Sequence, residues 1–285
     1  MGLTSKFIQL FRLVDENGQG YGVKQVNGKP RVSSMPYTYD IAEHNVKNHE
    51  SWSKKGLHAA IGTTELDMRP YAAVTAGIGW AYTFPTTELT MTIVSTSASD
   101  AVGEVGAQTI TVSYLNGSYA EKSVTVSMAG ATPVTIATDM FRVQSIRVTT
   151  AGTTLWPVGT ITIASAGQTY GGLRPTKTSG RQCIWTVPAG KELYITDIYF
   201  SCAQQAASKY VLFTLRANYD EKSEKVLQRG LFLPFKEVSL NNTGYNRTLT
   251  MPIYLPATVD LKVSAIADSA AIGTCGLTGW TETSD

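Results

Sequence analysis

Residues 95–163 alternate with a period of two over most of their length, and no other feature limits the fold so strongly. Gln108, Ile110, Val112 and Tyr114 share one parity, and Thr109, Thr111 and Ser113 share the other. After Asn116-Gly117 the alternation resumes, with Val124 and Val126 set against Thr125 and Ser127. A third run, 141–148, is β-branched and aromatic with charges interleaved. Successive side chains of a strand point to opposite faces, so these runs suit strands that bury one face. Asn-Gly between two of them predicts a two-residue hairpin turn, whose central residues both need positive φ.

The same reading extends in both directions. Residues 1–62 are the least regular and are expected to form an N-terminal arm with a possible hairpin. That hairpin would use 7–14 and 21–26, with turns at 15–18 and Asn27-Gly28. Residues 63–170 are expected to form a first β-sandwich, entered through 78–85 and 89–95. The Gly-rich stretch 165–175 reads as a connection between domains. Residues 171–285 are expected to form a second, jelly-roll-like sandwich with strands at 183–187, 193–200, 210–217, 226–233, 253–257, 259–266 and 276–280. The predicted class is all-β: two antiparallel β-sandwich domains, jelly-roll-like, behind an irregular N-terminal arm.

Composition narrows the function. Of 285 residues, 43% are hydrophobic and 16% charged, against roughly a quarter charged in ordinary globular chains. Thr, Ser, Asn and Gln must therefore supply the polar surface. A formal net charge of +2 argues against nucleic acid or an anionic membrane as partner. The segment 1–18 lacks a long apolar stretch, so no secretory signal is expected, and no apolar run is long enough to span a bilayer as a helix. Three cysteines, Cys183, Cys202 and Cys275, have no C-x-x-C spacing and read as buried thiols. A Cys183–Cys202 bridge is an open alternative. His44, His49 and His58 fit no metal-ligand spacing.

The sequence contains no G-x-S-x-G, P-loop or H-E-x-x-H motif. Gly103-Glu104-Val105-Gly106 lies between strands and reads as a flexible turn. Asp197, Asp220, Glu224 and Glu237 are the carboxylates from which a glycosidase pair would have to come, and their spacing brings no two together. Trp52 and Trp156 stand in irregular surroundings and are candidates for exposed contacts. No catalytic, cofactor-binding or metal-binding residue is assigned, and no cofactor is expected.

Several turns in series carry a resemblance. Ser97-Ala98-Ser99-Asp100, Gly103-Glu104-Val105-Gly106-Ala107-Gln108, Leu115-Asn116-Gly117, Ala129-Gly130 and Thr150-Ala151-Gly152 occur in that order. Val187-Pro188-Ala189-Gly190-Lys191 and Leu255-Pro256-Ala257-Thr258-Val259-Asp260-Leu261 follow. From about residue 44 onward this series resembles virion structural proteins of tailed bacteriophages, especially marine and cyanobacterial ones. Such a resemblance implies a non-enzymatic component of a phage particle: a capsid auxiliary or decoration protein, or a neck or tail component. It implies a homo-oligomer, a trimer or ring, in contact with capsid, portal or tail proteins. Such a protein would be found in the virion after assembly in the host cytoplasm. The alternative reading is a carbohydrate-binding or host-attachment module.

Overall fold

The computed structural model describes residues 25–26, 29–30, 41, 46–69, 82–204 and 209–283. The chain is all-β with antiparallel sheets. Strands β1 (Gln25–Val26) and β2 (Lys29–Pro30) pair across the Asn27-Gly28 position. Residues 7–14, read from sequence as the partner strand, lie outside the described residues. Next in the chain come β3 (His49–Ile61), β4 (Leu66–Asp67), β5 (Leu89–Ser95), β6 (Ala107–Leu115), β7 (Glu121–Ser127), β8 (Val134–Met140), β9 (Arg142–Ala151), β10 (Ile161–Ser165) and β11 (Gln168–Leu173). The remainder are β12 (Ile184–Thr186), β13 (Lys191–Gln204), β14 (Val211–Ala217), β15 (Tyr219–Asp220), β16 (Lys225–Val226), β17 (Leu233–Leu240), β18 (Gly244–Leu255), β19 (Asp260–Ala267) and β20 (Ala271–Thr283).

Four principal sheets enclose two cores. One core lies between the sheets β11-β10-β5-β8 and β7-β6-β9 and is filled by Met91, Ile93, Ile110, Val112, Val143 and Ile161. The other lies between β12-β19-β14-β17 and β18-β13-β20-β3, with β4 added beside β19. Leu193, Ile198, Phe200, Phe213, Leu261 and Leu277 fill it. The alternation read from sequence explains these faces: Ile110, Val112 and Tyr114 are buried, and opposite them the threonines bond across strands. Thr111 Oγ1 lies 2.8 Å from Thr125 Oγ1 and 2.5 Å from Thr149 Oγ1, which satisfies hydroxyls that the sheet half-buries.

Local expectations meet tertiary constraints at four places. The β6–β7 hairpin forms, but its connection is longer than two residues. Tyr119 takes the positive φ (60°), and the Asn116 side chain accepts from the amides of Ser118 and Ala120. Tyr119 sets its ring edge-on to Phe141, 5.3 Å away, and this packing selects the longer loop. The stretch 165–175 is no linker: it is mostly the β10–β11 hairpin, turning at Ala166 and Gly167 (φ 47° and 78°), with Tyr170 and Leu173 in the core. Residues 49–61, read as part of an arm, are an edge strand paired along its length with β20. The strand expected at 226–233 is mostly turn, and the long strand there is β17, because Leu231 faces solvent while 233–240 pair with β14.

Strand β4 runs to Asp67, and the chain returns to the same place 116 residues later. Met68 N donates to Val263 O, and Cys183 N donates to Met68 O, both at 2.8 Å. All of β5–β11 lies between these two points.

Candidate functional site

The clearest built feature outside the cores is a loop tip at one end of the β5–β11 unit, organised by Asp100. This carboxylate is fully buried among loops. Its Oδ1 accepts from the amides of Ala107 and Val158, both at 2.9 Å. Its Oδ2 accepts from the amide of Gly159 at 2.8 Å and from the Ser95 hydroxyl at 2.6 Å. A buried carboxylate is tolerated only when its lone pairs are filled, and four donors fill these. The result ties loop 96–106 to loop 152–160.

Further bonds close the join. Gly152 N donates to Gly106 O at 2.8 Å, and Thr154 donates to Val105 O through both its amide and its hydroxyl. Two glycines are required by this approach: a Cβ on Gly106 would lie 2.2 Å from Asp100 Oδ1, and one on Gly152 would lie 2.2 Å from Glu104 O. The Gly103–Gly106 segment, expected as a flexible turn, is therefore hydrogen-bonded in place. The tied loops present Val102 (62% exposed), Val105 (44%), Leu155 (69%), Trp156 (43%) and Val158 (40%) to solvent. Trp156 is where sequence placed an exposed aromatic. Trp52 is not: it packs against Trp185, 5.1 Å between ring centres, at the edge of the second core.

A second polar constellation joins the two cores. Arg142 at the start of β9 makes a bidentate pair with Asp260 at the start of β19, through Nε at 2.8 Å and Nη2 at 2.9 Å. Its Nη1 donates to the carbonyls of Pro85 and Phe141, and its guanidinium lies over the Phe141 and Phe84 rings. Asp260 also accepts from Thr186 Oγ1 at 2.5 Å, while its amide donates to Asn218 Oδ1 at 2.7 Å. Gln144 bonds both backbone groups of Thr186, and the Lys54 ammonium donates to the Gln144 carbonyl. Burial pulls the Lys54 ammonium down to a pKa of about 8.

Of the carboxylates considered for sugar hydrolysis, Asp220 and Glu224 share the short β15–β16 connection, while Asp197 and Glu237 lie on strands of different sheets. Asp220 caps its own loop, accepting from the Lys222 amide and the Ser223 hydroxyl. Glu237 sits on β17 beside Thr214, and Asp197 lies on β13 among three threonine hydroxyls. His44 lies outside the described residues. His49 Nδ1 bonds the Lys47 carbonyl, and the buried His58 accepts from the Ala60 amide through Nδ1. Among the described residues no group of three His, Cys, Asp or Glu side chains is placed to hold a metal ion. The three cysteines are buried free thiols; Cys183 neighbours Cys275 rather than Cys202, both of them crowding Gly56.

Asp100 and the Arg142–Asp260 pair carry no catalytic spacing, and sequence reading passed over both as functional residues. Asp100 stood inside the Ser97–Asp100 turn motif, which was its only signal.

No family model matches the chain, and no curated protein matches it. Among solved structures, similarity is found to "Structure of infectious bursal disease virus Gx strain", with 9% identity over 86% of this chain and 78% of that one, at a TM-score of 0.20. The crystal structure of the infectious bursal disease virus VP2 subviral particle is similar at 9% identity, over 84% of this chain and 78% of that one, with a TM-score of 0.17. At these values neither likeness carries an argument about fold or function.

Proposed function

We propose that this protein is a non-enzymatic structural component of a bacteriophage particle, a capsid auxiliary or decoration protein or a neck or tail part, that self-associates. The loop tip is the observation that carries this reading. Five apolar side chains face outward on loops whose backbone is held by a buried carboxylate. Clustered exposed apolar groups favour burial against a second surface, and loops already fixed lose little freedom on docking. The turn series resembling tailed-phage virion proteins supplies the class of particle.

Strand order supports a jelly roll for the second core. Its eight main strands are β3, β12, β13, β14, β17, β18, β19 and β20, and every step but β14 to β17 passes from one sheet to the other. Jelly rolls of eight strands in two sheets serve as capsid and lectin domains. Four sheets also suit a four-bladed propeller, but two separate cores, each fed by two sheets, favour paired sheets over blades around a channel. On this reading residues 69–182 form a second sandwich inserted between the first two strands of the jelly roll. Partners are further copies of the chain, as a trimer or ring, and capsid, portal or tail proteins of the virion.

The test has two arms. Light scattering on the purified chain is expected to give a closed oligomer, and Leu155→Asp with Trp156→Ser is expected to dissociate it into chains that still melt cooperatively, with a melting temperature that no longer rises with concentration. Mass spectrometry of purified particles is expected to count the chain in hundreds of copies for a capsid role, or about a dozen for a neck or tail role. Absence from particles would refute the reading.

A further inference from the structure

Two buried thiols meet inside the second core, one from each of its sheets. Cys275 lies on β20 opposite Gly56 of β3, with its side chain in the core. Cys183 immediately precedes β12 in the facing sheet. Its amide donates to Met68 O at 2.8 Å, and its carbonyl accepts from Val263 N at 2.9 Å, so its backbone is held on both sides. The Cys275 thiol is hydrogen-bonded to Cys183.

Gly56 makes the room for this meeting. A Cβ at residue 56 would lie 2.6 Å from Cys275 Sγ and 2.9 Å from Cys183 Cβ, closer than side-chain atoms approach. One sulfur and the carbon that bears the other thus crowd a single point. A disulfide needs its Cβ atoms about 3.5–4.5 Å apart and its sulfurs about 2.05 Å apart. Sulfurs already in hydrogen-bond contact approach that distance by small rotations about their Cα–Cβ bonds. Cys202 does not compete for Cys275. It pairs with Gly273 across β13 and β20, while Cys275 pairs with Phe200, so the two cysteines are diagonal neighbours. Diagonal positions lie about 7–8 Å apart, beyond disulfide reach.

We infer that Cys183 and Cys275 are an oxidative modification site: exposed to a peroxide, they close into a disulfide that clamps the two sheets of the second core. Burial, aided by the bond to Cys183, pushes the Cys275 thiol up, so Cys275 keeps its proton at neutral pH and Cys183 reacts first. The Cys183 sulfur takes OH from hydrogen peroxide, and its own proton leaves with the other oxygen as water. The Cys275 sulfur then attacks the Cys183 sulfur. The S–S bond forms, the S–O bond breaks, and the hydroxyl departs with the Cys275 proton as a second water. Two thiols lose two electrons, and one peroxide becomes two waters.

Access needs little disruption. Strand β3 lies at the edge of its sheet, and a cavity of about 630 Å³ opens at Gly56, Cys275 and Gly276. A small uncharged oxidant therefore arrives through local opening of an edge rather than of the whole core. The bond would join residues far apart in sequence, which restricts the unfolded chain strongly. The site belongs to the second core and stands whether or not the chain enters particles.

The experiment exposes the reduced, purified full-length chain to hydrogen peroxide at neutral pH. The chain is then unfolded with iodoacetamide present and mapped by mass spectrometry without reductant. Alkylated thiols are expected to fall from three to one, with the Cys183 peptide linked to the Cys275 peptide and Cys202 free. The melting temperature is expected to rise by about 5 °C or more, and dithiothreitol to reverse both changes. Cys202→Ala is expected to form the same link and Cys275→Ala to form none. Gly56→Ala, which puts a methyl into the shared space, is expected to slow closure about tenfold or more. Should either of the last two misfold, the natural chain and Cys202→Ala still decide the question. Three alkylated thiols after treatment, a link through Cys202 or between two chains, further oxidation of Cys275 in place of a link, or a link that leaves melting unchanged would overturn the inference.

Discussion

His58 shows how one buried side chain ties stability to pH. Burial, with the Arg69 and Arg174 charges adding to it, lowers its pKa from 6.5 to about 4, and its Nδ1 must stay unprotonated to accept the Ala60 amide. The unfolded chain therefore binds a proton that the folded chain refuses, so stability is complete above pH 6.5 and falls as pH drops towards 4. A loss on the order of 2 kcal/mol is expected across that window. Melting temperatures measured from pH 7 to 5.5, above most of the range where carboxylates titrate, should fall for the natural chain and stay flat for His58→Gln. A second residue-scale test concerns Asp100. Asp100→Asn places an NH2 group where amides now point, and should cost about 3 kcal/mol. Limited proteolysis should then cut within 96–106 or 152–160 before the cores unfold; equal protease resistance in both chains would count against the role given to Asp100. Neither residue announces itself in the sequence. A histidine or an aspartate in a turn has the same spelling whether buried or exposed, and only neighbours distant in sequence decide which.

At the scale of elements, alternation made most strands legible. Strands β6, β9, β13, β14 and β19 lie where periodic apolar residues place them, because each buries one face and the burial writes itself into every second position. Strand β18 was only half visible: its 244–252 portion is largely polar and exposed, so little burial marks it. Strand β3 was missed for a similar reason, since it is an edge strand whose outward residues are Ser, Lys and Ala. The joint between β9 and β19 is a strong test of element packing. Arg142→Met leaves Asp260 buried without its cation and should cost about 3–5 kcal/mol in chemical denaturation. Adding Asp260→Leu should recover part of that loss, because breaking a buried pair costs more than replacing it with apolar groups. If the double variant were less stable than Arg142→Met by a further 2 kcal/mol or so, the joint would owe its stability to the wider Thr186 and Asn218 network instead.

For the whole molecule, the insertion geometry makes a direct prediction. The chain leaves the second core at Met68 and re-enters at Cys183, and those two residues are already hydrogen-bonded. Replacing 69–182 with a short Gly-Ser linker should leave a chain that still melts cooperatively with a β-type circular dichroism spectrum, since loop closure between adjacent ends costs little. An excised chain that fails to fold would show that the two cores are one cooperative unit.

The sequence by itself determined the all-β class, the positions of the strongly periodic strands and the absence of any familiar catalytic spacing, because these follow from local alternation and turn chemistry. Only the tertiary structure decided which strands pair, that 49–61 closes a sheet with the C-terminal strand, and that 165–173 is a hairpin. It alone joined Arg142 to Asp260 across 118 residues and set Asp100 at the centre of a loop tip. Those features depend on contacts between residues far apart in the chain, and local periodicity holds no record of them.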